Sequence, residues 1–488
     1  MNTPIKFTTA EEAVKVIKSG DHVHLSSVAS APQCLIKAMC ARGEAGELKH
    51  VHVHHLHTEG PAPYADPKFE GVFQLDSFFV GSNVRKVTQS GYADYIPIFL
   101  SETQRLYRCG AVPCDVAMIQ VCPPDKHGYV SLGTSVDATL AAVETAKVVI
   151  AVVNKYVPRS FGDAIIPVSK IDMFVQDDQP LVEAKFAEPS ETEKAIGRNC
   201  AALIEDGATL QMGIGAIPNA VLAQLGNHRN LGIHTEMFAD GVLPLVRKGV
   251  INGEAKHIDK GMMVSTFLMG SKEVYDFIDD NPGVRMMDVG YTNDPYIISK
   301  NDRVTAINSA IQVDLTGQVC ADSIGTRFWS GVGGQVDFVY GASLSKGGKA
   351  IISKHKHFYF DMPYAQYPLR NTYKFTPYFG GINKDNVGGV IGVEGECWTE
   401  WIDSPAKLEF QMNPRLAALS EVAWLKSDKR CYKTFEARLD DYFKVLDALD
   451  VNYAKPEIFR APKNPFKRGA TVRAWYAKDM NIEFDRNK

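Results

Sequence analysis

Asp206-Gly-Ala-Thr-Leu-Gln-Met-Gly-Ile-Gly-Ala-Ile-Pro-Asn-Ala-Val-Leu-Ala-Gln-Leu225 decides the reading of this chain. Ala208–Met212 is a short apolar run bounded by glycines, which reads as a strand. Gly213 and Gly215 then turn the chain. From Ile217 the apolar residues recur at helical intervals, through Val221 and Leu222 to Leu225. A strand passing through glycines directly into a helix is the unit from which parallel sheets with helical faces are built.

The same order recurs upstream. His22-Val-His-Leu25, Val116–Val121 and Val148–Val153 read as strands separated by helical patterns, so the predicted class is α/β with a mostly parallel sheet. Ser19-Gly-Asp-His-Val-His-Leu25 followed by Pro32 and a helix echoes Asp206–Met212 followed by Pro218 and a helix. Two similar α/β halves with a site between them are the economical interpretation. The opening residues predict an amphipathic helix with overlapping capping boxes, Thr8/Glu11 and Thr9/Glu12, ending at Gly20.

Bulk properties narrow the function. At 488 residues the chain is long enough for about three domains. A net charge of -4 leaves no basic excess to neutralise phosphates, so nucleic acid is not an expected partner. Nine cysteines without a CxxC pair predict reduced thiols and a cytoplasmic location. No run of eighteen apolar residues occurs, so no membrane span is expected.

A glycine turn between strand and helix offers backbone N–H groups to a phosphate or an oxyanion. Pro218 stands where the dinucleotide fingerprint wants a third glycine, yet Glu236 lies where a ribose-binding acid would fall, so that alternative stays open here. Asn308-Ser-Ala-Ile311 and Gly331-Val-Gly-Gly334-Gln-Val-Asp-Phe338 add a second glycine-rich surface that could surround one carboxylate. The run His50-Val-His-Val-His-His-Leu-His57 predicts a strand with histidines 50, 52 and 54 on one face and 55 and 57 on the other. No carboxylate or cysteine stands at ligand spacing along that run, so no metal is expected.

Gly213–Pro218, His234–Gly241, Asn308–Gly317 and Gly331–Phe338, with Pro123–Gly128 and Pro158–Gly162, resemble the acetyl-CoA hydrolase/transferase family. The nearest resemblance is to its 4-hydroxybutyrate and butyryl-CoA:acetate CoA-transferase branch. It implies an α/β domain over residues 1–190 and a second, truncated one over 191–350. It further implies that Glu236 is the nucleophile and that a glutamyl-CoA thioester forms. Asn293 would polarise the reacting carbonyl. Gly213, Ile214, Gly215, Ala216, Ile217, Ile311 and Gly334 would contact CoA. The substrates implied are an acyl-CoA and a short-chain carboxylate such as acetate, butyrate or 4-hydroxybutyrate, with a homodimer as a compatible assembly.

After residue 350 the texture changes, and four of the five tryptophans fall there. Lys349–Ser353 and Val390–Val393 read as strands, Ser404-Pro405 as a helix start, and Leu408–Leu425 and Thr434–Leu449 as helices. Trp424, on a helix, reads as core packing. Tyr359-Phe-Asp361 and Glu396-Cys-Trp-Thr-Glu-Trp401 suit a sugar. Residues 349–455 resemble the end of the catalytic barrel of family 20 β-N-acetylhexosaminidases. That likeness implies a partial barrel over 351–488, with Tyr359, Asp361, Trp398 and Glu400 around an N-acetylhexosamine. The catalytic acid pair of those enzymes and most of their barrel are absent. The favoured expectation is therefore a CoA-transferase. The alternatives are a carbohydrate-binding or hydrolytic protein of hexosaminidase descent, or an inactive chimera joined near Lys349–Lys354.

Overall fold

A computed structural model describes residues 5–184, 188–213, 215–313, 319–324, 327–348, 350–353, 363–366, 368–376, 390–394, 404–460, 467–468 and 471–472. The chain divides into two compact units: Met1–Ile311 with Ala321–Lys349, and Gln312–Cys320 with Ala350–Lys488.

The first unit is built on an eight-stranded sheet. Its strands are β1 (Phe7–Thr8), β2 (His22–Leu25), β3 (Val51–His55), β4 (Phe73–Ser77), β5 (Ala93–Tyr95), β6 (Val116–Val121), β7 (Val148–Val153) and β8 (Met173–Gln176). They lie in the order β1-β8-β7-β6-β2-β3-β4-β5, and every pairing is parallel. Successive residues feed opposite cores. Ala117, Ile119 and Val121 enter one apolar cluster, while Val116 and Met118 enter the other. All six β6 residues are buried, which explains why it reads as a continuous apolar run rather than an alternating one.

A second parallel sheet places the site. β9 (Thr209–Met212) lies between β10 (Gly232–Ile233) and β11 (Val304–Ile307), all running the same way. The residues that follow them are Gly213, His234 and Asn308. Three loops singled out in the sequence therefore leave one end of one sheet, the end where α/β proteins bind ligands. The predicted helix after the glycine turn forms over Ala216–Leu222.

The opening helix is shorter than predicted. Phe7 and Thr8 join the sheet edge, and the α-helix is a single turn, Ala10–Ala13, whose cap Thr9 accepts from the Glu12 N–H. The β-branched residues that follow continue it only as a 3-10 turn, Val14–Val16.

In the second unit, Ala350–Ser353 and Val390–Glu394 form a parallel pair, and Ser404 caps a helix over Pro405–Met412. Leu408–Leu425 is two helices rather than one, since Asn413-Pro414 ends the first and Arg415–Trp424 forms the second. Tyr432–Ala448 supplies the long helix, with Phe435, Leu439, Phe443 and Leu446 buried together. Trp424 contradicts its core assignment: it is 87% exposed, because it ends its helix where the chain turns away. Among the described residues, no helix is long and apolar enough to cross a membrane.

The histidine run also differs from expectation. His50 adopts φ 52° ahead of β3 and so shares no strand face. A carboxylate does stand within reach of the run: Asp76 of β4 lies in register with His54. Sequence spacing along one strand cannot reveal a partner supplied by its neighbour.

Candidate active site

Glu236 sits one residue beyond Thr235, whose side chain fastens two strand ends. Thr235 Oγ1 accepts from Met212 N–H at 3.1 Å and lies 2.9 Å from the Met237 carbonyl, to which it donates. The Glu236 carbonyl in turn accepts from the Thr266 and Phe267 N–H groups and the Ser265 hydroxyl. The backbone at Glu236 is therefore held on both sides, and only its side chain is free to work.

The carboxylate meets Asn293 and Gly334. Asn293 Nδ2 donates to Glu236 Oε2 at 3.3 Å, and the nearby Gly334 backbone N–H favours its ionised form. A Cβ built on Gly334 would fall 1.8 Å from Oε2, so only glycine leaves room for the acid. Asp337, one turn into the helix that Gly334 caps, shares the same Asn293 amide at 3.3 Å. Burial raises the Glu236 carboxyl to about 7, and the Asp337 charge adds to the rise. The Asn293 amide and the Gly334 N–H oppose it.

Asn293 is placed by its neighbours. Its own N–H closes a short helix on the Val289 carbonyl, and the adjacent Thr292 carbonyl bonds His234 Nε2 at 2.9 Å. Burial holds His234 neutral by lowering it to about 4. Asn293 Oδ1 is buried without a hydrogen-bond partner, while its amide nitrogen donates to both carboxylates.

Segments at β5 and after β4 and β5 of the eight-stranded sheet supply the far wall. Ser101 donates to Asp337 through both backbone N–H (3.0 Å) and hydroxyl (2.8 Å). The Tyr95 hydroxyl accepts from Val332 N–H, and Leu100 N–H donates to the Gly333 carbonyl. Phe79 backs directly onto Gly331, where a Cβ would lie 2.8 Å from its Cα. The glycine run is thus pressed between Glu236 and these segments.

The predicted residues divide accordingly. Glu236, Asn293 and Gly334 are brought into mutual contact. Gly213, Gly215, Ala216 and Ile217 occupy the loop and helix start after β9, and Ile311 lies half-buried beyond β11, on neighbouring loops of the same sheet end. Gln211 and Asn308 exchange hydrogen bonds of 3.0 Å between β9 and the loop after β11. Ile214, Tyr359, Asp361, Trp398 and Glu400 lie outside the described residues. Sequence reasoning gave no role to Asp337 or Ser101. Asp337 stood within the glycine-rich run, but nothing in the sequence marked Ser101.

Chemically, the arrangement is a single carboxylate with an amide donor, a backbone donor and a pKa near neutrality. It suits nucleophilic attack by the carboxylate on an acyl group better than metal binding.

Residues 3–184 match the acetyl-CoA hydrolase/transferase N-terminal domain, and residues 270–356 match the C-terminal domain of the same family. A 4-hydroxybutyrate coenzyme A transferase from Clostridium kluyveri is 49% identical over 348 residues, covering 71% of this chain and 81% of that protein. The crystal structure of a 4-hydroxybutyrate CoA-transferase from Porphyromonas gingivalis superposes with a TM-score of 0.61 at 39% identity, over 72% of this chain and 81% of that one. A smaller likeness, 27% identity over 132 residues, links 21% of the chain to 15% of a beta-hexosaminidase from Vibrio vulnificus.

Proposed function

The chain belongs to the acetyl-CoA hydrolase/transferase family, and we propose that it moves CoA from an acyl-CoA to a short-chain carboxylate, with Glu236 as the nucleophile. The observation that carries this reading is the Glu236 carboxylate held against Asn293 and Gly334 in a site that raises its pKa to about 7.

The ionised carboxylate attacks the thioester carbonyl and expels CoA thiolate, leaving a mixed anhydride between Glu236 and the acyl group. The thiolate then attacks the glutamyl carbonyl, releasing the acyl group as a carboxylate and leaving glutamyl-CoA thioester. An incoming carboxylate repeats the two steps in reverse and departs as the new acyl-CoA. Each step trades one acyl bond for another, so one high barrier is divided into smaller ones. Poor solvation of the carboxylate makes it a better nucleophile than a hydrated one. Asn293 Nδ2 and the Gly334 N–H, which favour its ionised form at rest, become available to the tetrahedral oxyanion as its charge moves off. Gly213–Ile217 and Ile311 are assigned to CoA, whose remote binding energy can be directed to the reacting thioester.

Residues 1–190 and 191–350 are read as the two transferase halves, and 351–488 as a segment of hexosaminidase descent. What supports that junction is the change of compact unit at Lys349/Ala350 together with the short hexosaminidase likeness. The described cysteines are all free, which favours the cytoplasm.

The test is intact-mass measurement after incubation with acetyl-CoA or butyryl-CoA. A CoA adduct on the peptide carrying Glu236 is expected. Folded protein that gives no adduct, or a Glu236→Gln variant that still gives one, overturns the assignment.

A further inference from the structure

The histidines of β2 and β3 lie apart from Glu236, on a different sheet, and the transferase chemistry does not use them. His22 pairs with His52 in register, and His54 pairs with Asp76. His22 Nδ1 approaches His54 Nε2 to 2.7 Å. Asp76 Oδ2 lies 3.9 Å from His54 Nε2 and accepts from His52 Nδ1 at 2.7 Å. The ligand-capable atoms of His22, His54 and Asp76 all fall within 4.8 Å of one another.

These three side chains converge from three adjacent strands. Between them, the two imidazoles have one proton to share at the 2.7 Å contact. Among the described residues, no lysine or arginine pairs with Asp76; its ion-pair partners are His52 and His54. His54 is enclosed, 3% exposed at the side chain, between Phe78 and the edge of Tyr107. Its Nδ1 has no hydrogen-bond partner. A carboxylate whose ion-pair partners are imidazoles alone, among the described residues, leaves room for a cation between them.

We propose that His22, His54 and Asp76 form a binding site for one divalent transition-metal ion of the zinc class. Two imidazoles and one carboxylate are a borderline donor set that suits zinc or cobalt rather than magnesium or calcium. His52, hydrogen-bonded to the carboxylate, orients it as an outer-shell partner. His22 is half-buried and the His52 side chain is 36% exposed, so ions and a coordinating water can enter from that side. His24, on the same face, is excluded, since Tyr107 and Thr139 occupy both of its ring nitrogens. The bound ion would clasp β2, β3 and β4 across one face of the sheet.

The experiment uses the full, untagged chain after removal of metal with a chelator. Titration with Co2+ is expected to saturate at one ion per chain, with the visible d–d absorption of a nitrogen- and oxygen-ligated site that Zn2+ bleaches. His22→Gln and Asp76→Asn should each lose the band, His52→Gln should weaken binding about tenfold, and His50→Gln should leave it intact. Zinc-edge X-ray absorption on the unmutated protein should report two imidazoles and a carboxylate oxygen, which decides the matter even where a variant fails to fold. No stoichiometric uptake, a band that survives both His22→Gln and Asp76→Asn, or sulfur in the zinc shell would overturn the site.

Discussion

As the proposed nucleophile, Glu236 faces two demands that pull against each other: it must ionise to attack, and it must be poorly solvated to attack well. Burial and Asp337 push its carboxyl up to about 7, so the reactive form grows as pH rises through that value. Transfer rates at subsaturating substrate should therefore climb between about pH 6 and pH 8. Asp337→Asn removes a like charge, so the rising limb should move to lower pH; a limb that stays in place would show that Asp337 acts only through packing. Asn293→Ala should lower kcat by about 10²–10³-fold, the usual loss for one oxyanion donor, with CoA affinity changed much less. Gly334→Ala should fold but give no adduct, because its Cβ would occupy the space of Glu236 Oε2. Circular dichroism beside the intact-mass assay checks both halves of that statement.

At the scale of elements, the site depends on three parallel strands ending together. Thr235 is the fastening, since its hydroxyl serves the Met212 N–H and lies within reach of the Met212 and Met237 carbonyls. Thr235→Val keeps the shape and removes the hydroxyl, leaving the Met212 N–H buried and unpaired. The expected loss is about 1–3 kcal/mol of stability, read from urea unfolding, with activity falling further than a distant variant of equal stability. The strands themselves were legible from the sequence: β6, β7 and β9 announce themselves as short apolar runs. The opening helix was not, since a capping signal states where a helix can begin, whereas the following β-branched residues and sheet edge decide how far it runs.

Over the whole molecule, two compact units carry separate cores. Leu446 is buried with Phe435, Leu439 and Phe443 in the second unit. Leu446→Ala should cost that unit about 2–5 kcal/mol and lower one of two unfolding transitions in a calorimetric scan; a shift in both would show that the units unfold as one. The division of labour between sequence and fold is equally plain here. By itself the sequence determined the α/β class, the strand–glycine–helix unit at Thr209–Leu222 and the pairing of Glu236 with a distant glycine-rich run. These are written in local patterns of apolar spacing, glycine and chain order. Only the tertiary structure decided that Ser101 and Asp337 stand behind Asn293, that Trp424 faces solvent, and that Asp76 meets His22 and His54. Such meetings depend on strand order and register between segments far apart in the chain, and the side-chain pattern of a single strand carries no record of which neighbour it will lie beside.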